Sequence, residues 1–274
     1  MGSNFDNGQH ALLQQRYGES LSEDAKYPWN PTISSLLEHV SVRHFLRDEH
    51  LPDGTLSTLM AAAQSASTGS MLQSGSVVAV IDLDRKSRVA MLCGDQDFVR
   101  QAPLFLLFCA DLGRLADASE RHGYPGEGAG LERIDLFIMA AQNAAIAAES
   151  LGLGMCYVGG ARNNARDLAD FLNLPRRVVG LFGMAVGKAD PAYMNSRKPR
   201  LPMNEVVHQD TCKSEDRAKC IAKYEDTLKA HYHHQGKPER PSWTSLLADF
   251  ASSSDLDGRG RMREVLEEQG FGLS

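Results

Sequence analysis

The spacing of hydrophobic positions changes several times along this chain, and each change marks an element. Residues 1–28 are polar and irregular, with a short helical pattern around Ala11–Tyr17, and read as an arm. Asn30-Pro31 then opens a short helix, because proline is comfortable in a first turn, with Ile33, Leu36 and Leu37 on one face. From Asp53 to about Ser65 the spacing is again helical, with Leu56, Leu59, Met60 and Ala63 on one side. Three runs lack a helical period: Ser76–Leu83, Leu104–Ala110 and Val178–Val186. Each is short, continuous and rich in β-branched or bulky apolar residues, which predicts strands buried on both faces.

Between the second and third of these runs lies Leu131–Leu151, the longest helical pattern, which would run roughly 30 Å at the helical rise. Its apolar positions (Ile134, Phe137, Ile138, Ala141, Ala144, Ala145, Ala148, Leu151) cover a wide face, and the alanines let another helix approach closely. Such a face is buried, in this core or against a partner subunit. Gly152 ends the helix, and Met155–Val158 begins a short strand. After Gln209 the composition shifts: a charged helix over 214–235, a break at Pro238 and Pro241, then polar helices near 242–250 and 259–269. The chain thus divides into an arm (1–28), a main domain (29–208) and a helical extension (209–274) too polar for a core of its own.

Composition narrows the partners. With 42 % hydrophobic and 23 % charged residues, 274 residues are ample for a sizeable core. A net charge of -6 without a basic stripe gives no reason to expect nucleic acid or an anionic membrane. Apolar stretches of about eight residues fall short of the roughly twenty that span a bilayer. The polar start carries no secretory signal, and Asp6 stands where myristoylation wants Ser or Thr. The five cysteines form no CxxC pair, and Cys109 and Cys156 sit in apolar runs, so the expected compartment is reducing and cytoplasmic.

Six segments bear on chemistry. In His39-Val40-Ser41-Val42-Arg43-His44-Phe45, an extended chain would put His39, Ser41 and Arg43 on one side and the valines toward the core. Imidazole, hydroxyl and guanidinium in a row suit a phosphate and its adjoining polyol. An alternating edge strand with its polar side in water is equally open on this segment alone. Arg197-Lys198-Pro199-Arg200-Leu201-Pro202 is stiffened by two prolines, so Lys198 and Arg200 project from a fixed extended backbone; the alternative is a solvated basic loop. The glycines of Gly152–Gly160 follow a helix and enclose a strand, the reverse of the dinucleotide fingerprint. Tyr157–Gly160 instead offers bare backbone to a planar ligand, or an ordinary turn. Ser65–Gln73 supplies small hydroxyls where a helix ends, and Gly94-Asp95-Gln96 is another polar turn. His231-Tyr232-His233-His234 lies on a polar helix end without companion ligands, and no metal is expected.

Together the segments HVSVRHF (39–45), the Ser/Thr loop ending in Leu72-Gln73, GDQ (94–96), MAAQNAAIAAESLGLG (139–154), YVGGARNN (157–164), LFGMAVG (181–187) and KPRLP (198–202) resemble the nitroreductase superfamily. The resemblance is nearest to its NADPH–FMN oxidoreductase branch of oxygen-insensitive nitroreductases and flavin reductases, and runs from about residue 30 to 270. It implies an α+β fold, a central, mostly antiparallel sheet flanked by helices, and an intertwined homodimer with two FMN sites built from both subunits. Carried over, His39, Ser41, Lys198 and Arg200 would hold the FMN phosphate. Arg43 and Gln96 would reach the ribityl chain and the pyrimidine edge. Ser67, Thr68 and Ser70 would come from the other subunit, Gln73 would also bind the cofactor, and Tyr157, Val158, Gly159 and Gly160 would bring backbone N–H groups near O4 and N5.

The sequence departs from the pattern at Val40, where relatives often carry arginine, and at Met71, where an aromatic is familiar. Gln235-Gly236 replaces an Arg-Gly pair for the NADPH 2′-phosphate, which leaves Arg240 and Arg259 as candidates for binding NADPH or NADH. The implied activity is ping-pong hydride transfer from NAD(P)H through FMN to nitroaromatic, quinone or free-flavin acceptors, with no side chain named as catalytic. The rivals are a dedicated flavin reductase or specialised flavin-chemistry member of the same fold, and a non-catalytic FMN-binding protein.

Overall fold

A run of eight residues that is apolar at every position but the last can be buried on both faces only at the centre of a layered fold, and Leu104–Asp111 occupies that place. The computed structural model describes residues 7–17, 27–47, 49–124, 137–193, 195–212, 215–253 and 256–272. In chain order these form α1 (Asn7–Tyr17), α2 (Pro31–Glu38), α3 (Thr55–Gln64), β1 (Gly75–Val80), α4 (Leu83–Leu92) and α5 (Asp97–Gln101). Then come β2 (Leu104–Asp111), α6 (Gly113–Arg121), α7 (Phe137–Ser150), β3 (Gly154–Val158), α8 (Ala165–Phe171) and β4 (Val178–Gly187). The last helices are α9 (Met203–Val206), α10 (Arg217–His234), α11 (Trp243–Ser252) and α12 (Met262–Glu268). Two compact units result, one from segments 1–40 and 195–254, the other from 41–194 and 255–274.

The second unit holds the sheet. Its order is β1-β2-β4-β3, antiparallel throughout, with Gly75 opposite Ala110, Leu104 opposite Val186 and Met155 opposite Val186. Successive β2 residues point to opposite faces. Phe105, Leu107 and Cys109 join Val89, Val99, Val158 and Leu168 in one layer. Leu104, Leu106 and Phe108 join Leu59, Ala63 and the α7 alanines 140, 141, 144, 145 and 148 in the other. The sheet is thus sandwiched between helices, as the α+β reading expects. On α7, Ile138 and Met139 remain exposed, so its apolar face is wider than the buried stripe. Residues 131–136 of the predicted long helix, Ile134 among them, lie outside the described residues.

Several expectations are corrected. The strand predicted over Ser76–Leu83 stops at Val80, because Asp82 caps a helix there: its carboxylate accepts from Arg85 N at 2.8 Å. Nor is β1 buried on both faces; as an edge strand its residues are mostly half-covered. Helices α4, α5, α6, α8 and α9 have no counterpart among the elements that the sequence predicts. The extended row at His39–Phe45 makes only isolated bridges, Ser41 to Met155 and Phe45 to Ala189, rather than a ladder. The helix expected over 259–269 is split into a 3-10 turn, Arg259–Arg261, followed by α12.

The first unit is helical. α1 buries Leu12 and Leu13, and the charged helix predicted over 214–235 is α10, which buries Cys220 and Leu228. Tyr224 meets Trp243 edge-on with ring centroids 5.2 Å apart, and Glu225 accepts from both N and Oγ1 of Thr244. Those bonds hold the Glu225 carboxyl below its ordinary pKa and tie α11 to α10.

Candidate functional site

In the second unit the candidate residues gather at the carboxyl end of β3. The chain after Gly94 turns through Asp95, in the left-handed region at φ 54, and Arg100 clasps both Asp95 and Asp97. That turn delivers Gln96, whose Nε2 donates to Cys93 O at 2.8 Å. β3 runs out into a 3-10 turn, Gly159–Arg162, against this loop: a Cβ on Gly160 would lie 2.2 Å from Cys93 O and 3.0 Å from Gln96 Nε2. The first N–H groups of such a turn have no acceptor within it, so the turn presents donors. Around Gly159 a Cβ would meet only two guanidinium nitrogens, Arg162 Nη2 at 3.7 Å and Arg259 Nη2 at 3.9 Å. Arg259 is fixed there by its Nε, which donates to Asn163 Oδ1 at 3.0 Å.

The extended segment after α2 carries the rest. Val42 N donates to Met155 O at 2.9 Å and Val42 packs on the core, which sets Ser41 and Arg43 beside β3. Burial pushes the Cys156 thiol pKa up, and the charge of Arg43 and a hydrogen bond from Ser41 oppose that push. Both residues therefore stand next to the backbone that leads into Tyr157. Tyr157 Oη donates to Gln142 Oε1 at 3.3 Å and its ring meets Phe182 edge-on at 5.7 Å. Burial, with Glu149 nearby, pushes its phenol up to about 12, so it is a neutral hydroxyl at working pH. The Cys93 thiol, pushed up by burial to about 12, is equally inert. All five cysteines are free.

Ser67, Thr68 and Gln73 line a cavity of about 490 Å³ together with Met60, Ala63 and Arg114. The loop is held in an uncommon shape, with Ser70, Met71 and Gln73 all at positive φ (49°, 57° and 47°). Arg114, which sequence reasoning missed, fixes it. Its Nη2 donates to Gln73 O at 2.8 Å and Gly75 O at 2.5 Å, and its Nη1 to Ser76 Oγ at 3.1 Å and Asp111 Oδ2 at 3.0 Å. The one available signal was Asp111 followed three residues later by Arg114 just past a strand, a common surface pairing.

His39, Lys198 and Arg200 belong to the first unit and are drawn together there. His39 caps the C-terminus of α2, and the buried Arg16 donates to Leu37 O at 2.8 Å, to His39 O, and to Lys198 O at 3.0 Å. Arg200 N donates to Arg16 O at 2.5 Å, while Pro199 is buried and the side chains of Lys198 and Arg200 reach solvent. α10 braces the same segment: Tyr224 Oη donates to Pro199 O at 3.5 Å, and His231 Nε2 lies 3.3 Å from Ser196 Oγ. Burial, then the charges of Lys198 and His234, hold the His231 pKa below its ordinary value. Arg240 is exposed past the end of α10, in the first unit, whereas Arg259 sits in the second. The structure thus brings Ser41, Arg43, Gln96, Tyr157–Gly160 and Arg259 into one group and His39, Lys198 and Arg200 into another.

Two family models match the chain: Nitroreductase family over residues 81–188, and Nitroreductase family, C-terminal domain, over 198–274. The chain is 35 % identical over 253 residues to "FMN reductase (NADPH)" of Bacillus subtilis, covering 88 % of this chain and 98 % of that protein. It is 38 % identical over 244 residues to "Oxygen-insensitive NADPH nitroreductase" of Salmonella typhimurium, at the same two coverages of 88 % and 98 %. Among solved structures it resembles NfrA1 of B. megaterium (TM-score 0.81, 35 % identity, 88 % and 99 % of the two chains). It also resembles the NADPH:FMN oxidoreductase of Vibrio harveyi complexed with NAD+ (TM-score 0.77, 31 % identity, 89 % and 100 %). With two family models spanning 185 of 274 residues (108 in 81–188 plus 77 in 198–274), and relatives matched along nearly their whole length, the chain belongs to the nitroreductase family.

Proposed function

We propose that this protein is an FMN-dependent NAD(P)H oxidoreductase of nitroreductase type, which passes electrons to nitroaromatic, quinone or free-flavin acceptors. The observation that carries the reading is the 3-10 turn at Gly159–Arg162, whose first N–H groups have no acceptor within the turn, with Gln96 against Gly160 and two guanidinium tips beside Gly159. That donor set fits the polar edge of a flat heterocycle, and the exposed cations of Lys198 and Arg200 fit a phosphate monoester. FMN, when bound, supplies the hydride chemistry itself. The chain's part is to bind and orient. Backbone N–H groups, Arg43 and Gln96 stabilise negative charge on the ring system as preorganised donors do at an oxyanion. Tyr157, with its phenol held neutral, donates and packs but moves no proton at neutral pH. The relatives named FMN reductase keep free flavin among the acceptors.

The assembly assigned to the protein is a homodimer, supported by the uncovered Ile138 and Met139 on α7. Ser67, Thr68, Ser70 and Gln73 then serve the partner's flavin. Among the described residues no helix is long and apolar enough to cross a membrane. The compartment assigned is the cytoplasm, a reading supported by the five free cysteines. The purified protein is expected to carry about one FMN per chain. Heat release followed by chromatography identifies the flavin, and FAD, or no flavin after reconstitution, would overturn the assignment.

Nucleotide choice is assigned to Arg259 and Arg240. The 2′-phosphate of NADPH carries nearly two charges and favours a guanidinium fork. Arg259→Ala is expected to raise KM for NADPH far more than for NADH. Gln235→Arg should sharpen the preference for NADPH by about 1 kcal/mol, the worth of a partly exposed charged contact. Measuring kcat/KM for both nucleotides at one salt concentration decides it, because such contacts are screened. An unchanged NADPH/NADH ratio in both variants would place the phosphate elsewhere.

A further inference from the structure

Arg16 is 4 % exposed although it sits on a helix whose register is otherwise mostly polar. A buried guanidinium is costly unless its N–H groups are satisfied, and here they are used with economy. Nε donates to Leu37 O and Nη2 to His39 O, the carbonyls where α2 ends. A helix C-terminus carries orphan carbonyls and partial negative charge, so a cation there is favourable twice over. The remaining arm, Nη1, donates to Lys198 O at 3.0 Å, more than a hundred and fifty residues away in sequence. The carbonyl of Arg16 itself accepts from Arg200 N, and its neighbour Gln15 accepts through Oε1 from Arg197 Nε at 2.8 Å. One planar fork therefore fixes His39 and Lys198 at the span of a single guanidinium. α1 lies before every stretch that carries the family resemblance.

We propose that Arg16 is a positioning residue for phosphate recognition: it sets the spacing between His39 and the Lys198–Arg200 segment, so that their side chains meet one phosphate monoester. The proposal rests on the FMN reading given above. Lys198 and Arg200 carry long, exposed side chains whose reach is decided by where their backbone is pinned, and Arg16 pins it from both sides: Nη1 on Lys198 O, and its own carbonyl on Arg200 N. Pro199 between them stiffens the segment, so a displacement at Lys198 is passed on to Arg200. The planar fork is the essential property. A lysine would keep the charge but could not satisfy three carbonyls arranged around a plane.

The test uses the full-length apo protein, titrated with FMN and with riboflavin, which lacks the phosphate. Arg16→Gln and Arg16→Lys are each expected to raise the Kd for FMN at least tenfold and to change that for riboflavin less than twofold. The ³¹P resonance of bound FMN, recorded at saturation, should move in both variants. Should FMN and riboflavin weaken in step, or neither weaken and the ³¹P resonance stay, Arg16 is a structural residue and the proposal fails. It fails equally if neither variant yields a folded apo protein. A wild-type protein that binds neither flavin refutes the FMN reading instead, and the two failures are told apart by that control.

Discussion

Gly160→Ala is expected to abolish tight flavin binding and to lower stability, whereas Gly159→Ala, one residue earlier, should leave the fold intact. The two glycines look interchangeable in YVGG but face different surroundings. A Cβ at Gly160 would lie 2.2 Å from the carbonyl oxygen of Cys93 and 2.9 Å from its carbon, both backbone atoms that no rotamer change can move. The turn and the Gly94–Gln96 loop must then separate, at an overpacking cost of about 1–3 kcal/mol. Gln96 and the N–H groups of the turn lose their register together. At Gly159 the same methyl would meet only guanidinium nitrogens at 3.7 and 3.9 Å, ordinary contact distances at the ends of flexible side chains. Stability should there change by less than about 0.5 kcal/mol, as at most surface positions. If the flavin edge lies on this turn, Gly159→Ala still weakens FMN binding by steric contact. Thermal unfolding of apo protein and flavin titration separate the effects. A Gly160→Ala protein as stable and as flavin-tight as wild type would remove the turn from the site.

The elements legible in the sequence are those with a strong period or a long apolar run. β2 and β4 could be read because burial on both faces leaves a continuous apolar string, and α7 because alanines mark where helices approach. The end of β1 was misread because Ile81 and Leu83 are apolar yet exposed, and composition alone cannot tell a buried apolar residue from an exposed one. The Asp82 cap was the better signal. α4 escaped for a related reason: LDRKSRVAML carries Lys86 on its buried side, where Nζ donates to Ala102 O at 2.5 Å and burial lowers its pKa. A lysine in the apolar stripe hides the stripe.

At the site, residues were legible where side-chain chemistry announces a ligand, and illegible where a side chain serves the backbone. Lys198 and Arg200 stand out on either side of Pro199. Arg16 and Arg114 do not, because each binds carbonyl oxygens brought close only by the fold, and carbonyls leave no trace in the residue alphabet. The His39–Arg43 row was readable as extended chain, but its bridging to β3 through Met155 depends on long-range packing that local alternation does not encode.

Arg114 offers the sharpest separation of charge from geometry. Arg114→Met should lower apo stability by about 1–2 kcal/mol, near the lower part of the range for hydrogen bonds to charged groups, because the guanidinium is half-exposed while Asp111 is buried. The carboxylate is not abandoned, since Ser76 Oγ and Gly113 N still donate to it. The larger consequence falls on the loop. Three departures into positive φ within four residues, at Ser70, Met71 and Gln73 with Leu72 right-handed between them, cost of the order of 1 kcal/mol each and persist only where surroundings enforce them. The guanidinium enforces the last of them by holding Gln73 O and Gly75 O at once. Without it the loop relaxes, hydrogen exchange over residues 67–75 should rise, and FMN binding should weaken at least tenfold. Arg114→Lys keeps a cation for Asp111 but has no fork for two carbonyls. It should therefore recover most of the stability and little of the FMN affinity. If lysine restores both, the charge of Arg114 suffices and the loop is shaped by its own sequence; if neither variant changes FMN affinity, Ser67–Gln73 does not touch the flavin.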